Sequence, residues 1–451
     1  MSQDGAPRPG ARLLALLGCI MLVSIAGGAP ARALPAFAAQ TGQPCQMCHV
    51  GGFGPQLTPY GRNFKMQGYT QRATSFNVPF SAMAEASYVN TAKDQPPPPH
   101  YAPNDNVTID QISLFFAGGL GSHLGAFVQA TYDGVGRGFT WDNLDVRATT
   151  SVKAGGGDVV LGVGLNNNPT LSDPWNTLPA WGFPYSGSPL APSPSASPLL
   201  DGALAQTSLG VTAYAWIANA VYLEAGAYGS PGATSLRRLG ADPASPGDIV
   251  GLAPYGRVAY QASLAGGVVE AGAFVMDTRI HPGADRSTGL SDRYTDGGVD
   301  ASYSRALTSG DMVTANARYM HEIQSLKATC ALAEADPSCV GASLDDIRAD
   351  VAYYWRNRIG GTVQVFNTTG GANPVVYAAN RTFRPDSTGM TFQIDGTPFG
   401  DRPQPMRRLN LRVGVQYTLY TRFNGAAQNF DGQGAKASDN NTVRLFVWTA
   451  F

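Results

Sequence analysis

From about Asn77 to the last residue, apolar and polar residues alternate at a period of two in short segments separated by clusters of Gly, Asn, Asp and Pro. Successive side chains of a β-strand point to opposite faces, so each segment offers one face to an apolar surrounding and one to a polar one. The clearest segment runs from Arg408 to Tyr420. Leu409, Leu411, Val413, Val415, Tyr417 and Leu419 fall on one face; Asn410, Arg412, Gly414, Gln416 and Thr418 fall on the other. Between Asp346 and Trp355, the set Ile347, Ala349, Val351, Tyr353 and Trp355 opposes Asp346, Arg348 and Asp350. A third segment sets Val313, Ala315, Ala317 and Tyr319 against Thr314, Asn316 and Arg318.

A soluble sandwich also alternates, and two further features favour a closed barrel. About sixteen segments can be placed, and their connections alternate in length, as they do in outer-membrane barrels. Short turns fall near 119–122, 153–157, 265–267, 308–310 and 357–358; long connections fall near 92–106, 166–203, 229–253, 277–290, 326–344, 369–389 and 423–440. The last segment places Leu445, Val447, Thr449 and Phe451 on one face and ends on an aromatic residue, the usual assembly signal of such barrels. Charged residues make up only 14% of the chain, against ~25% in a typical domain. Beyond the first residues no apolar run is long enough for a spanning helix, so a membrane protein of this sequence has to be a closed barrel. The expected fold is all-β: an antiparallel transmembrane β-barrel of about sixteen strands with a small N-terminal haem-binding segment.

Three regions follow. Residues 1–33 read as an export signal: Arg8 and Arg12 precede the apolar run 13–26, and Ala31-Arg32-Ala33 is a small-x-small cleavage site. A membrane anchor is the alternative, but the run falls short of ~20 residues; Cys19 lies in a faint lipoprotein-like box and is expected to leave with the signal. Residues 34–76 form a unit too short to bury much core alone, and 77–451 form the barrel. A net charge of −1 gives no electrostatic case for nucleic acid or anionic lipid as a partner.

The short unit carries Cys45-Gln46-Met47-Cys48-His49. C-x-x-C-H is the attachment signature of c-type haem. Two thiols one helical turn apart add to the vinyl groups of one porphyrin, and the adjoining imidazole of His49 is the proximal iron ligand. A redox dithiol or half a zinc site also uses C-x-x-C, but neither needs the histidine, and no second Cys pair lies nearby. Export and covalent haem attachment, an extracytoplasmic event in bacteria, support each other. Cys330 and Cys339, in a polar Pro-containing loop, are expected to form a disulfide; a metal site there lacks further ligands.

For a barrel, the polar series Arg412, Gln416, Arg348, Asp350, Arg318 and Asn316 faces the lumen, and the aliphatic series faces lipid. The longest connection, 166–203, carries Asn166-Asn167-Asn168-Pro169, Trp175 and Trp181-Gly182-Phe183-Pro184-Tyr185. It reads either as a stiff outer loop with aromatics at the membrane rim or as a third outer loop folded into the lumen.

Residues 35–44 (Pro35-Ala36-Phe37-Ala38-Ala39-Gln40-Thr41-Gly42-Gln43-Pro44), the haem motif, and then Pro55, Leu57, Gly61-Arg62, Phe64-Lys65 and Gly68-Tyr69 resemble the monohaem cytochrome–porin fusions of the bacterial outer membrane. The best-known members are iron(II) oxidases. The likeness is strong over the haem unit; the barrel shares size, strand count and the Asn-Pro…Trp-Gly-Phe-Pro-Tyr loop. In place of the basic residue usual in the Phe-Ala-Arg-Gln stretch, this chain has Ala39. The resemblance implies one covalent haem c and electron transfer through the outer membrane, from extracellular Fe(II) or another donor to a periplasmic cytochrome or other soluble carrier. A haem-containing porin with a different donor or acceptor, or a transport porin with a haem plug, is the alternative. Met66, seventeen residues after His49, is the candidate distal ligand, with a histidine ligand or a vacant position as alternatives. Met83 falls in the first strand, and His100, His123, His281 and His321 read as surface histidines. Asp346, Asp431 and Asp439 read as outer-loop acids able to hold a hard cation, or as solvated charge.

Overall fold

Each alternating segment becomes a strand in the computed structural model, which describes residues 36–73, 79–154, 156–399 and 409–451. The export signal expected at 1–33, Pro35, the domain boundary near Asn77 and the segment start at Arg408 lie outside the described residues. In chain order the strands are β1 (Phe80–Thr91), β2 (Asn106–Gly119), β3 (Leu124–Asp133), β4 (Gly138–Ala154), β5 (Gly157–Asn166), β6 (Leu209–Ile217), β7 (Val221–Gly229), β8 (Gly247–Ile249) and β9 (Ala253–Leu264). They continue with β10 (Gly267–Pro282), β11 (Asp292–Ala306), β12 (Met312–Ser325), β13 (Gly341–Trp355), β14 (Ile359–Gly370), β15 (Ser387–Gly396), β16 (Asn410–Arg422) and β17 (Thr442–Ala450).

Neighbours pair antiparallel in sequence order, and β1 pairs with both β2 and β17, which closes the sheet into a barrel. Closure runs from Met83 opposite Ala450 to Thr91 opposite Thr442, and Phe451 and Ala82 exchange main-chain hydrogen bonds just beyond it. The three-residue β8 pairs with the far end of β10, in line with β9, so it extends that position instead of adding a stave. The architecture is therefore a closed sixteen-stave, porin-like barrel with one extra short strand.

The expected faces hold. On β13, Val351, Tyr353 and Trp355 are exposed outward while Ala352 and Tyr354 are buried. Inward, Arg318, Asn316, Asp350, Arg412 and Gln416 are all buried, because the lumen is filled. Connections at one end are short, and those at the other are mostly long. Two depart from that rule. The 134–137 connection, at the long-loop end, is a tight turn in which Asp133 Oδ1 accepts the Val135 N–H at 2.8 Å. The 397–409 connection, at the short-turn end, is the longest there.

The 167–208 loop takes the luminal alternative. Leu171, Asp173, Trp175 and Leu178 are fully buried or nearly so. The Asp173 carboxylate accepts the N–H groups of Trp175, Thr177 and Leu178 and lies 3.4 Å from Arg257 of β9. A carboxylate held by several N–H donors and a cation ties an irregular segment firmly to the wall. Cys330 and Cys339 are disulfide-bonded in the 326–340 loop, packed under Leu326 and Tyr294.

Asp346 corrects an expectation. It belongs to β13, not to a loop, and is fully buried against Arg318 and Arg348 at 3.1 and 3.2 Å. Its alternation placed it in a strand, and a luminal charge has the same composition signature as a loop charge.

Candidate functional site

Residues 36–73 enter the barrel at its short-turn end. Three helices shape them: α1 (Ala36–Thr41), α2 (Cys45–Cys48) and α3 (Pro59–Met66). Pro44, extended at φ −66°, starts α2, which lasts one turn. His49 leaves the helix at φ −118°, its N–H donating to Cys45 O at 2.9 Å. The chain then reverses through Gly51 at φ +72°, where a β-carbon would come within 2.9 Å of the Tyr354 ring. Thr58 caps α3 by accepting the Gly61 N–H, and its own N–H donates to Cys48 O at 2.9 Å. A β-carbon at Gly61 would overlap Cys48 O, so only glycine lets α3 lie against α2.

Cys45 and Cys48 are free, half-buried thiols on one helical turn. Burial raises both, Cys48 to about 12 with the neighbouring Cys45 adding to it. A reactive dithiol needs the opposite, a depressed thiol. Among the described residues no three His, Cys, Asp or Glu side chains converge to hold a metal ion, so the zinc alternative finds no ligand set. His49 is pushed down to about 4 by burial, with the positive charge of Arg412 adding to the effect. Its imidazole is neutral at cellular pH, and its Nδ1 is sealed from solvent without a hydrogen-bond partner. Two free thiols one turn apart, followed by a neutral imidazole with an unpaired ring nitrogen, fit a covalently tethered haem.

The wall around α2 holds it by few contacts. Asn357, in the turn after β13, accepts the Gly51 N–H at 2.7 Å and donates to His49 O at 3.0 Å and Gln46 O at 3.2 Å. Arg412 of β16 donates to Phe53 O at 2.7 Å while pairing with Asp395 at 2.9 Å. Phe53 packs on Trp448 of β17 with ring centroids 4.9 Å apart. On the mouth side, Met47 and Tyr60 are 43% and 37% exposed.

The structure does not bring Met66 to His49. Met66 is buried with Val160, Trp175, Tyr214, Trp216, Tyr222 and Ala259, against the wall of β5 to β9. Val50, next to His49, packs instead on Met312, Ala352 and Tyr354 of β12 and β13. The ends of the segment thus face opposite walls, and Met66 packs as core. His123 bonds Thr149 O, His281 lies 3.5 Å from Asp248, and His321 lies 2.8 Å from Asp345. Asp431 caps its own loop at Gln433 N, and Asp439 pairs with Lys93 at 3.7 Å.

Three positions escaped sequence reading. Asn357 was legible only as a turn residue, Gly61 only as part of a resemblance, and Asn176 only as loop. Asn176 joins the luminal loop to the haem-motif segment, accepting from Leu57 N at 2.9 Å and donating to Pro55 O at 3.0 Å.

No family model matches the chain, and no curated protein matches it. Solved structures similar to it include the outer-membrane protein OmpT of Vibrio cholerae (9% identity; 82% of this chain and 96% of that one; TM-score 0.41). The anion-selective porin of Comamonas acidovorans is similar at 14% identity, with 82% and 98% covered and a TM-score of 0.42. The outer-membrane channel DcaP of Acinetobacter baumannii is similar at 13% identity, with 85% and 99% covered and a TM-score of 0.45.

Proposed function

We propose that this chain is an outer-membrane c-type cytochrome joined to a porin-like barrel, and that it carries electrons across that membrane. The donor is extracellular Fe(II) and the acceptor a soluble periplasmic cytochrome. The observation that carries the reading is the seating of Cys45, Cys48 and the neutral imidazole of His49 together at the mouth of a barrel whose lumen is filled. Support for the membrane comes from the outward apolar belt, with Val299, Val351 and Ile394 at 55%, 57% and 64% exposure. Among the described residues no helix is long and apolar enough to span a bilayer. The choice of Fe(II) is supported by the resemblance of the 35–69 stretch alone.

Once bound, the haem supplies a one-electron iron couple. The chain does the rest. Cys45 and Cys48 would hold the porphyrin by thioether bonds, and His49 would supply a ring nitrogen to the iron. Asn357 fixes the carbonyls of Gln46 and His49, which holds in place the turn that carries both thiols and the imidazole. Lys65 donates to Leu171 O and Asp173 O at 2.7 and 2.8 Å, locking the luminal loop onto the segment. Met47 and Tyr60, exposed at the mouth, are where a soluble partner reaches the site.

The test is a redox titration of the purified protein. A c-type spectrum that oxidant bleaches and Fe(II) restores is expected, together with negligible single-channel conductance in a lipid bilayer. Covalent haem that Fe(II) leaves oxidised would sink the iron assignment. Steady porin-like conductance would replace the conduit with a transport pore.

A further inference from the structure

Away from the motif, in the outer half of the lumen, two carboxylates face each other with nothing to offset them. Asp296 of β11 and Glu322 of β12 are direct cross-strand partners on the luminal face. Side chains so placed have Cβ atoms about 5 Å apart, and like charges there repel. Both are shut from solvent. Neither has an ion-pair partner among the described residues, because Arg318 and Arg348 are taken by Asp201 and Asp346. Glu322 accepts from Leu199 N and Gln324 Nε2. Neither oxygen of Asp296 makes a hydrogen bond of good geometry, although Glu322 and the Leu200 main chain lie against it.

A third orphan lies alongside. Thr278 of β10 is fully buried, and its Oγ1 has no partner. Asp296 pairs with Met276, so Thr278 is one same-face step along the neighbouring strand. A proton shared between the carboxyl groups would leave Thr278 Oγ1 bare. A cation satisfies all of them. Buried polar atoms without good partners are costly, so such a cluster is not left idle at random.

We infer that Asp296, Glu322 and Thr278 form a binding site for one oxygen-preferring divalent cation in the outer lumen. Two carboxylates match a charge of two, and an all-oxygen set selects hard or borderline ions such as Mg(II), Mn(II), Ca(II) and Fe(II) over soft ones. Protein donors are fewer than six, so water completes the shell, as is usual for small divalent ions. Asp201, one residue beyond Leu200, lines a luminal cavity of about 230 Å³, which brings solvent close to the pair. The site stands independently of the haem proposal.

The test uses the full-length protein in detergent with Mn(II) as probe, followed by electron paramagnetic resonance. One site per chain is expected, weakened at least tenfold by Asp296→Asn and by Glu322→Gln and unchanged by Asp431→Asn. A second measurement needs no variant: terbium(III) luminescence excited through tyrosine, Tyr294 lying on the same strand near Asp296, and quenched as Mn(II) displaces it. No Mn(II) uptake at millimolar concentration would leave a shared proton as the only neutraliser and overturn the site. Mn(II) binding that both variants retain, or terbium emission that Mn(II) does not quench, would overturn it as well.

Discussion

The two sides of the segment inside the barrel are held in opposite ways. On the α3 side, Arg62, Lys65, Met66 and Tyr69 are buried, and polar contacts reach several strands and the luminal loop. Arg62 donates to Ser304 at 2.7 Å, and Tyr69 donates to Asp145 at 2.6 Å. Tyr214 donates to Met66 O, also at 2.6 Å. On the α2 side the thiols are half-buried, neighbouring side chains face the mouth, and the main chain is held by the turn residue Asn357 and, just beyond it, by Asn410 and Arg412 of β16. One side anchors; the other keeps its reactive groups reachable. A plug meant only to block would gain nothing from leaving its one chemically distinctive stretch the least enclosed.

The largest effect that separates the sides is expected from Cys48→Ala. It should abolish stable covalent haem, read as loss of the haem-stained band on a denaturing gel, while the barrel keeps its heat-modifiable migration. No wall contact of the α3 side involves this thiol, so the fold has no reason to change. A haem-stained band that survives the substitution would remove the basis for treating the α2 side as the working one.

The faces of the barrel wall around this segment were legible in the sequence, and the parts that were not share a cause. Period-two alternation reports the faces of a strand directly, so Val351, Tyr353 and Trp355 outward and Arg318 and Arg412 inward follow from spacing alone. The luminal course of 167–208 was one of two readings, since Trp175 and Trp181 suit a membrane rim as well as a filled lumen. Asn176 and Asn357 were invisible as tethers, because a turn asparagine carries the same local signal whether or not it reaches another segment. The wall that Met66 faces was not legible for a related reason: distance along the chain says nothing about which way a short helix turns its side chains. The opposed oxygens of Asp296 and Glu322 depend on register, which alternation leaves open.

An intermediate effect is expected at the tether. Asn357→Ala removes one acceptor and two donor contacts to Gln46, His49 and Gly51. Gln46 and His49 are only half-buried, so their carbonyls keep some access to water, whereas Gly51 is buried and its N–H has none. The cost should be ~1–3 kcal/mol, falling on the segment and not on the barrel. Limited proteolysis should then cut within 36–73 faster while the strands stay protected, and the haem potential should shift. Equal loosening of barrel and segment would show that Asn357 supports the wall, and the contrast between the sides would lose its simplest cause.

The smallest effect is expected where the resemblance points to a ligand and the structure to packing. Met66→Leu keeps volume and apolarity in a pocket of Val160, Trp175, Tyr214 and Tyr222, and such swaps usually cost less than ~1.5 kcal/mol. The Tyr214 bond is to the Met66 carbonyl and is kept. A thioether on the iron gives a distinct absorption band and raises the potential, so the variant separates two roles that stability alone would not. With Met66 as core, band and potential should match the parent protein. Loss of such a band, or a fall in potential of the size that goes with losing a sulfur ligand, would require the α3 side to swing across the lumen when haem is attached. The anchored side would then be the one that moves, and the comparison would have to be reversed.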